Sequence, residues 1–113
     1  MDFINEKVNN VVVEIVTLER ATLKEAERFR EILTGDIEAG NKNIVVDLNN
    51  CEFIDSTFLG ALVVSLKKAT ASGGDLKLVG FRPAVNSMFE LTRLNRVFEA
   101  YQLREDAINS FSE

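Results

Sequence analysis

The sequence predicts an α/β fold in which a mixed, largely parallel β-sheet of four to five strands is covered by about four helices. The first observation behind this is that strand-type and helix-type patterns alternate after an initial pair of strands. The second is the apolar run at residues 44–48, which is typical of a strand buried on both faces of a parallel sheet. The third is composition, because 113 residues with six glycines and one proline leave no long linker. Residues 1–113 are therefore expected to form one domain.

The N-terminal third is expected to form a hairpin and a helix. Residues 3–7 and the β-branched run at 11–16 are predicted strands, separated by an Asn-Asn turn signal. Thr22 and Glu25 have the spacing of a capping box, which predicts that a helix begins at Thr22. Gly40 is expected to end this helix. Its core-facing positions are predicted to be Ala26, Phe29, Leu33 and Ile37.

The rest of the chain alternates between strand and helix patterns. Gly73 and Gly74 are expected to end the second helix, and Pro83 suits the first position of the third. The predicted elements are a strand at 44–48, a helix from about 57 to 71, a strand at 76–79, a helix from 83, a short strand at 97–101 and a helix at 104–111. The predicted core positions of the second and third helices are Leu59, Leu62, Val63, Leu66 and Ala69, followed by Val85, Met88, Phe89 and Thr92.

Charge and composition argue against several classes of function. A net charge of −5 repels phosphate backbones, so nucleic acid is not an expected partner. The most apolar window, residues 53–66, is too short to cross a bilayer, and no membrane contact is expected. The N-terminus lacks a signal-peptide pattern, which makes the cytoplasm the expected location. Cys51, the single cysteine, is interpreted as a small buried hydrophobe, with a reactive thiol as the alternative.

The residues that common catalytic sites need are mostly missing. Without histidine, neither a Ser-His or Cys-His pair nor a histidine metal site can form. No glycine-rich phosphate loop is present, and the protein itself is expected to hold no cofactor and no metal. Asp47 and Asp55 invite comparison with the Mg²⁺-binding aspartates of a receiver domain, but residues 16–19 and 79–81 lack the further acidic pair and lysine of such a site. The chain is therefore not expected to be an enzyme.

The distinctive segment is residues 53–62, FIDSTFLGAL, where a strand leads into the second helix through three consecutive capping-type residues. A helix start needs only one such residue, so redundant capping is one interpretation. The other is functional, because the free N–H groups and the macrodipole of a helix start favour an anion. A phosphate on Ser56 would add roughly −1.5 to −2 charges beside Asp55 without unfolding the domain. Thr57 is the competing phosphate acceptor.

Phe58 leaves two interpretations open. It falls on the first turn of the predicted helix, off the stripe that Leu59 and Leu62 begin. The ring is either tucked under a neighbouring loop or part of an exposed docking patch beside Ser56. The second interpretation makes Phe58 a contact for a partner protein, and it predicts that Phe58→Ala reduces partner affinity more than fold stability.

These residues resemble the signature of the STAS domain, named after sulphate transporters and anti-sigma factor antagonists. The resemblance consists of Asp47-Leu48, a short spacer, and residues 53–60 with the pattern Phe-Ile-Asp-Ser-Thr-x-Leu-Gly. Residues 73–80 and 91–99 are similar to the family's later helix-to-strand segments, so the resemblance extends over nearly the whole chain. Many members have glycine where this chain has Phe58, which implies a specialised partner or a shifted docking geometry.

The resemblance implies a mechanism. In free-standing antagonists the unphosphorylated protein binds an anti-sigma factor and so releases a sigma factor, which regulates transcription. That anti-sigma factor is a serine kinase that uses ATP and Mg²⁺ to phosphorylate the serine after the motif aspartate, and a PP2C-type phosphatase reverses the reaction. Carried over to this chain, the phosphorylated residue is Ser56. The partner-binding residues implied are Asp55, Ser56, Thr57, Phe58, Gly60 and Ala61.

Two alternatives remain open at this stage. The chain could instead be a STAS scaffold subunit of another signalling or lipid-transport complex, in which Ser56 is never phosphorylated. It could also be an enzyme or a binder of a small ligand such as a nucleotide, although the missing phosphate loop counts against that.

Overall fold

A central β-sheet carries three helices on one face and a fourth on the other in the computed structural model, which describes residues 1–112. Its strands are β1 (Phe3–Val8), β2 (Val11–Val16), β3 (Arg20–Ala21), β4 (Asn43–Asp47), β5 (Phe53–Ile54), β6 (Asp75–Val79) and β7 (Ala100–Tyr101). Its helices are α1 (Leu23–Glu38), α2 (Ser56–Ala71), α3 (Pro83–Leu91) and α4 (Arg104–Ser110), with a 3₁₀ helix at Leu94–Arg96. The four predicted helices are therefore confirmed.

Five strands form the main sheet in the order β1-β2-β4-β6-β7. β1 and β2 make the predicted antiparallel hairpin, in which Phe3 lies opposite Val16. β2, β4, β6 and β7 are parallel, with Val13 of β2 opposite Val45 of β4. The pattern confirms a mixed, largely parallel sheet. β3 and β5 pair in parallel as a separate two-stranded sheet, which the sequence did not predict.

The central strands β2, β4 and β6 are buried on both faces, as the apolar run in β4 predicts. Ile44 and Val46 belong to a large core that the sheet shares with α1, α2 and α3. Val45 faces the other way, into a smaller core shared with α4. Successive parallel strands lie side by side with their connecting helices on one face, the arrangement that right-handed crossovers produce. Each connecting helix therefore begins at the edge of the sheet where the parallel strands end.

Local signals determine where the helices begin and end. Thr22 is the N-cap of α1, and the capping box is present: Glu25 accepts from the Thr22 backbone N–H at 3.1 Å. Gly40 follows α1 with φ +97°, the left-handed conformation expected after a helix. Gly74 follows α2, and a Cβ there would overlap the backbone carbonyl of Lys42. These signals all confirm the sequence predictions.

The predicted strand at residues 97–101 is wrong in its first three residues. Only Ala100–Tyr101 pair with β6, and the 3₁₀ helix Leu94–Arg96 precedes them. Phe98 explains the irregular path, because its ring is 5% exposed and packs edge-on against Phe89 with centroids 5.9 Å apart. Core packing of that ring therefore takes precedence over regular strand pairing.

The third helix is shorter than its apolar pattern suggests. Val85 and Phe89 are buried as predicted, and Met88 is half-buried. The helix ends at Leu91, so Thr92, predicted to be on the buried face, is exposed instead. Its hydroxyl donates to the backbone carbonyl of Met88 at 2.7 Å, and that bond satisfies one of the free carbonyls of the last turn.

Candidate functional site

The N-termini of α1 and α2 meet at one carboxylate. Asp55 is the N-cap of α2, and its Oδ1 accepts from the backbone N–H of Phe58 at 2.9 Å. Its Oδ2 accepts from the backbone N–H of Leu23, the first residue of α1, also at 2.9 Å. A negative charge is favourable at each of these helix ends. Asp55, predicted as a partner-binding residue, therefore has a structural role of its own.

Ser56 and Thr57 are the first two residues of α2, directly after Asp55. Both are exposed, and neither hydroxyl forms a hydrogen bond within residues 1–112. Asp55 alone caps α2, as the redundant-capping interpretation allows, and Ser56 and Thr57 take no part in the cap. The Ser56 hydroxyl is thus free of any structural task and open to solvent, at a helix end that favours an anion.

A groove runs between the first turns of α1 and α2. Its volume is about 240 Å³, and it opens between two exposed apolar side chains, Leu23 at 67% and Val64 at 47%. Gly60 is exposed in the groove, whereas Ala61 is only 6% exposed. The lining residues are Leu23, Ala26, Glu27, Arg30, Thr57, Gly60, Ala61 and Val64. Three predicted partner-binding residues, Thr57, Gly60 and Ala61, therefore line one groove.

The rim of the groove carries little net charge. Glu27 and Arg30 form an ion pair one turn apart on α1. The hydrogen bond between the two side chains and the negative charge of Glu27 raise the pKa of the Arg30 guanidinium. Because that pair is mutually compensated, the electrostatic character of the surface comes from the two helix N-termini, from the Asp55 carboxylate between them and from the charge on Ser56.

Phe58 is not part of an exposed docking patch, and this prediction is wrong. The ring is fully buried and stacks on Phe29 of α1, with centroids 4.9 Å apart and planes 12° apart. It is covered by a helix rather than by a loop. α2 packs against both the sheet and α1, so its buried surface is wider than the single stripe from Leu59 that the sequence indicates.

Two further sequence interpretations are resolved by contacts outside the groove. Cys51 is fully buried and its thiol donates to the Phe53 carbonyl, while burial raises the pKa of the thiol, so it is the small hydrophobe expected. Asp47 is 3% exposed and pairs with Arg104 at 2.7 Å. Asp47 therefore serves to hold α4, and Asp55 serves to cap helices, so the two do not form a receiver-type metal site.

Comparison with known proteins identifies the family. The STAS domain model matches residues 4–107, which is most of the chain. The chain belongs to the STAS domain family. This STAS domain is 34% identical over 66 residues to the anti-sigma-B factor antagonist of Staphylococcus aureus, a match that spans 58% of this chain and 61% of that protein.

Solved structures confirm the fold of the STAS domain. TM1081 of Thermotoga maritima is 27% identical, with a TM-score of 0.86 over 96% of this chain and 87% of that one. An anti-sigma-factor antagonist (STAS) domain protein from Planctomyces limnophilus gives a TM-score of 0.90 at 19% identity, with full coverage of both chains. The family expectation drawn from the motif is therefore correct. Among residues 1–112, no helix has both the length and the apolar character needed to cross a membrane.

Proposed function

We propose that this STAS domain is an anti-sigma factor antagonist whose affinity for an anti-sigma factor serine kinase is switched by phosphorylation of Ser56. The observation that carries the proposal is the exposed Ser56 hydroxyl, which begins α2 beside the groove and has no bonding role in the fold. The antagonist named among the relatives supports the same function. In this scheme the chain is a kinase substrate that regulates transcription in the cytoplasm, and it needs no cofactor.

The switch acts on the surface and leaves the fold unchanged. A phosphate on Ser56 adds roughly −1.5 to −2 charges at pH 7. The Asp55 carboxylate already accepts from one N–H in the first turn of each helix, so the phosphate stays on the solvent side. A partner docked across the groove then meets a dianion where it previously met a neutral hydroxyl. Like-charge or desolvation costs of several kcal/mol are typical of such a change.

The groove between α1 and α2 is the proposed docking surface for the kinase. Leu23 and Val64 supply exposed apolar contact area on either side of Gly60, which leaves the floor open. Thr57 also lines this surface, whereas Phe58 lies beneath it in the core. A PP2C-type phosphatase would reach the phosphate from solvent, since nothing in residues 1–112 covers Ser56.

Ser56→Ala is expected to abolish phosphate incorporation when the chain is incubated with the cognate anti-sigma factor kinase, ATP and Mg²⁺. Thr57→Ala is the matched control and should still be labelled, because its hydroxyl is equally exposed but one residue further along α2. Intact-mass measurement and peptide mapping give the readout. Labelling that persists in Ser56→Ala and disappears in Thr57→Ala would move the site to Thr57.

The same proposal makes a binding prediction for Ser56→Asp. This variant should bind the kinase at least about tenfold more weakly in a titration, while its melting temperature stays within a few degrees of wild type. Ser87→Asp, an equal charge change on the exposed face of α3, should bind as wild type does. Equal affinity of all three proteins would instead support a scaffold that does not switch.

Gly60→Ala is expected to weaken kinase binding while it stabilises the fold. A Cβ at Gly60 meets nothing within 4 Å, so alanine should stabilise α2 by about 0.5 to 1 kcal/mol through helix propensity. The added methyl stands on the groove floor and should weaken kinase binding about fivefold or more. Gly35→Ala in α1, also without a neighbour within 4 Å, should give the same stabilisation and leave binding unchanged. Gly60→Ala with wild-type affinity would exclude this groove as the docking surface.

A further inference from the structure

A crevice on the domain is lined only by uncharged residues and shares none of them with the groove. It lies where β4 and β6 end, beside β7 and the 3₁₀ helix, and has a volume of about 770 Å³. Asn95 of the 3₁₀ helix and Gln102, which follows β7, both line it. Neither side chain forms a hydrogen bond within residues 1–112. Arg93 and Arg96 lie on either side of Asn95 in sequence, and Glu105 and Asp106 follow Gln102.

The segment around Asn95 forms a basic flank, defined as Leu91, Arg93, Arg96 and Val97. Leu91 is 82% exposed and Val97 is 53% exposed. Among the seven arginines, five form an ion pair or stack on a ring, whereas Arg93 and Arg96 do neither within residues 1–112. Two unpaired guanidinium groups beside two exposed apolar side chains form a surface suited to an acidic partner with an apolar contact.

Arg93 also adopts a backbone conformation that favours glycine. Its φ of 62° and ψ of 15° lie in the left-handed region, a conformation that is costly for a residue with a Cβ. The only other positive-φ residue besides glycine in residues 1–112 is Asn9, in the hairpin turn where asparagine is usual. Arg93 directly follows the C-cap of α3, a position at which many helices end in this conformation and glycine is the usual residue.

The segment after Gln102 forms an acidic flank, defined as Leu103, Glu105 and Asp106. Leu103 is 54% exposed, and both carboxylates are exposed and form no ion pair within residues 1–112. Arg104, which precedes both carboxylates in sequence, is bound to Asp47 and Glu6 and does not neutralise them. This flank combines an exposed apolar side chain with two free negative charges, which complement the two arginines of the basic flank.

We infer that this surface binds a second copy of the chain, with the basic flank of each copy against the acidic flank of the other. One surface that carries both complementary charges can pair with itself about a two-fold axis, as isologous dimers do. The uncharged crevice then lies at the centre of the contact, where burial of charge would be costly. The inference does not depend on phosphorylation or on the kinase, because its residues are separate from Ser56 and the groove.

Analytical ultracentrifugation of the full chain tests the dimer directly. Wild type should dimerise reversibly between about 5 and 500 µM, and the dimer should weaken as salt rises from about 50 mM to about 500 mM. Arg93→Glu with Arg96→Glu, and Glu105→Arg with Asp106→Arg, should each raise the dissociation constant at least about tenfold. An equimolar mixture of the two double variants should restore a dimer, since both flank contacts are then again between opposite charges.

Three results would overturn the inference: a monomeric wild type at every concentration, double variants that dimerise like wild type, or a mixture that stays monomeric. Circular dichroism melting establishes that each variant is folded. If a double reversal does not fold, Arg93→Gly with Arg96→Gln replaces it, because glycine relieves the left-handed backbone at residue 93. That milder variant should still raise the dissociation constant about tenfold, and an unchanged value would count against the inference equally.

Discussion

Phe58→Ala is expected to lower the free energy of unfolding by about 3 to 5 kcal/mol, although the residue lies two positions from the proposed phosphorylation site. The ring is fully buried, and alanine would leave a cavity that its neighbours fill only in part. A domain of this size is stable by about 5 to 15 kcal/mol in total. The substitution should therefore remove a large part of the stability.

The size of this effect comes from a stack of three rings that joins three elements. Phe3 of β1 stacks on Phe29 of α1 with centroids 4.6 Å apart, and Phe29 stacks in turn on Phe58 of α2 at 4.9 Å. Removal of one outer ring exposes the middle ring to a void and loosens α2 from α1. The helix that carries Ser56 then loses its support, so binding should weaken as a consequence of lost order.

Thermal and urea unfolding followed by circular dichroism measure the loss, expected as a fall in melting temperature of roughly 15 °C. Phe58→Leu should lose less, because it keeps most of the apolar volume. Phe53→Ala is the control, since that ring is only half-buried beneath the Arg20 guanidinium. A Phe58→Ala protein that melts within a few degrees of wild type would show that the ring is not a core residue.

Predictions from short-range patterns were confirmed wherever the signal and the structure involve the same few residues. The capping box joins Thr22 to Glu25, three positions away, and both halves of it are present. In the run at residues 44–48, every residue before Asp47 is apolar, so none of these side chains favours solvent. β4 is accordingly buried on both faces. The fold class followed from the sum of such local signals, because alternating strands and helices admit few arrangements.

The errors arise where a residue's environment is decided by a distant part of the chain. Asp55 accepts from Leu23, 32 residues away, so no pattern near Asp55 could show that it binds the first turn of α1 as well as capping α2. Asp47, for which the sequence indicated no structural role, meets Arg104 across 57 residues and anchors α4. Phe58 was misplaced for the same reason: a helical stripe describes one buried face, and α2 is covered on two sides.

Glu14 has a buried carboxyl group whose environment the strand pattern of β2 does not indicate. It lies within the apolar run of β2 and is only 1% exposed. Asn5 of β1 donates to its carboxyl at 2.8 Å, Val46 lies beside it on β4, and Asp36 faces it from α1. No lysine or arginine pairs with Glu14 within residues 1–112, and the Asp36 Oδ2 is buried without a hydrogen-bond donor. Two facing carboxyl groups without a cation are accommodated best when they share a proton.

Burial, followed by the neighbouring Asp36, raises the pKa of Glu14 from 4.5 to about 8. Below pH 4.5 the group is protonated in both the folded and the unfolded chain, and it has no effect on the pH dependence of stability. Between these two pKa values the unfolded chain gives up the proton while the folded chain keeps it, so stability falls as the pH rises. The total loss approaches about 3 to 5 kcal/mol above pH 8.

Glu14→Gln is accordingly expected to stabilise the protein above neutral pH, by about 3 kcal/mol or more at pH 8.5. The carboxamide oxygen can still accept from Asn5, and its NH₂ group can donate to Asp36, so the contacts survive without a titrating proton. Urea unfolding at pH 5 and pH 8.5 should show a steep loss for wild type and a nearly flat response for the variant. A change in stability over this pH range can be assigned to Glu14, because the chain contains no histidine, the side chain that ordinarily titrates in this range.

Glu19→Gln, an equal change at an exposed glutamate, should leave the pH dependence of wild type intact. If wild type were equally stable at pH 5 and pH 8.5, Glu14 would have to be ionised in the fold, and the strand would then hold an uncompensated charge beside a second carboxylate. That result would contradict the shared proton. The measured slope therefore decides whether β2 and α1 are joined by a shared proton.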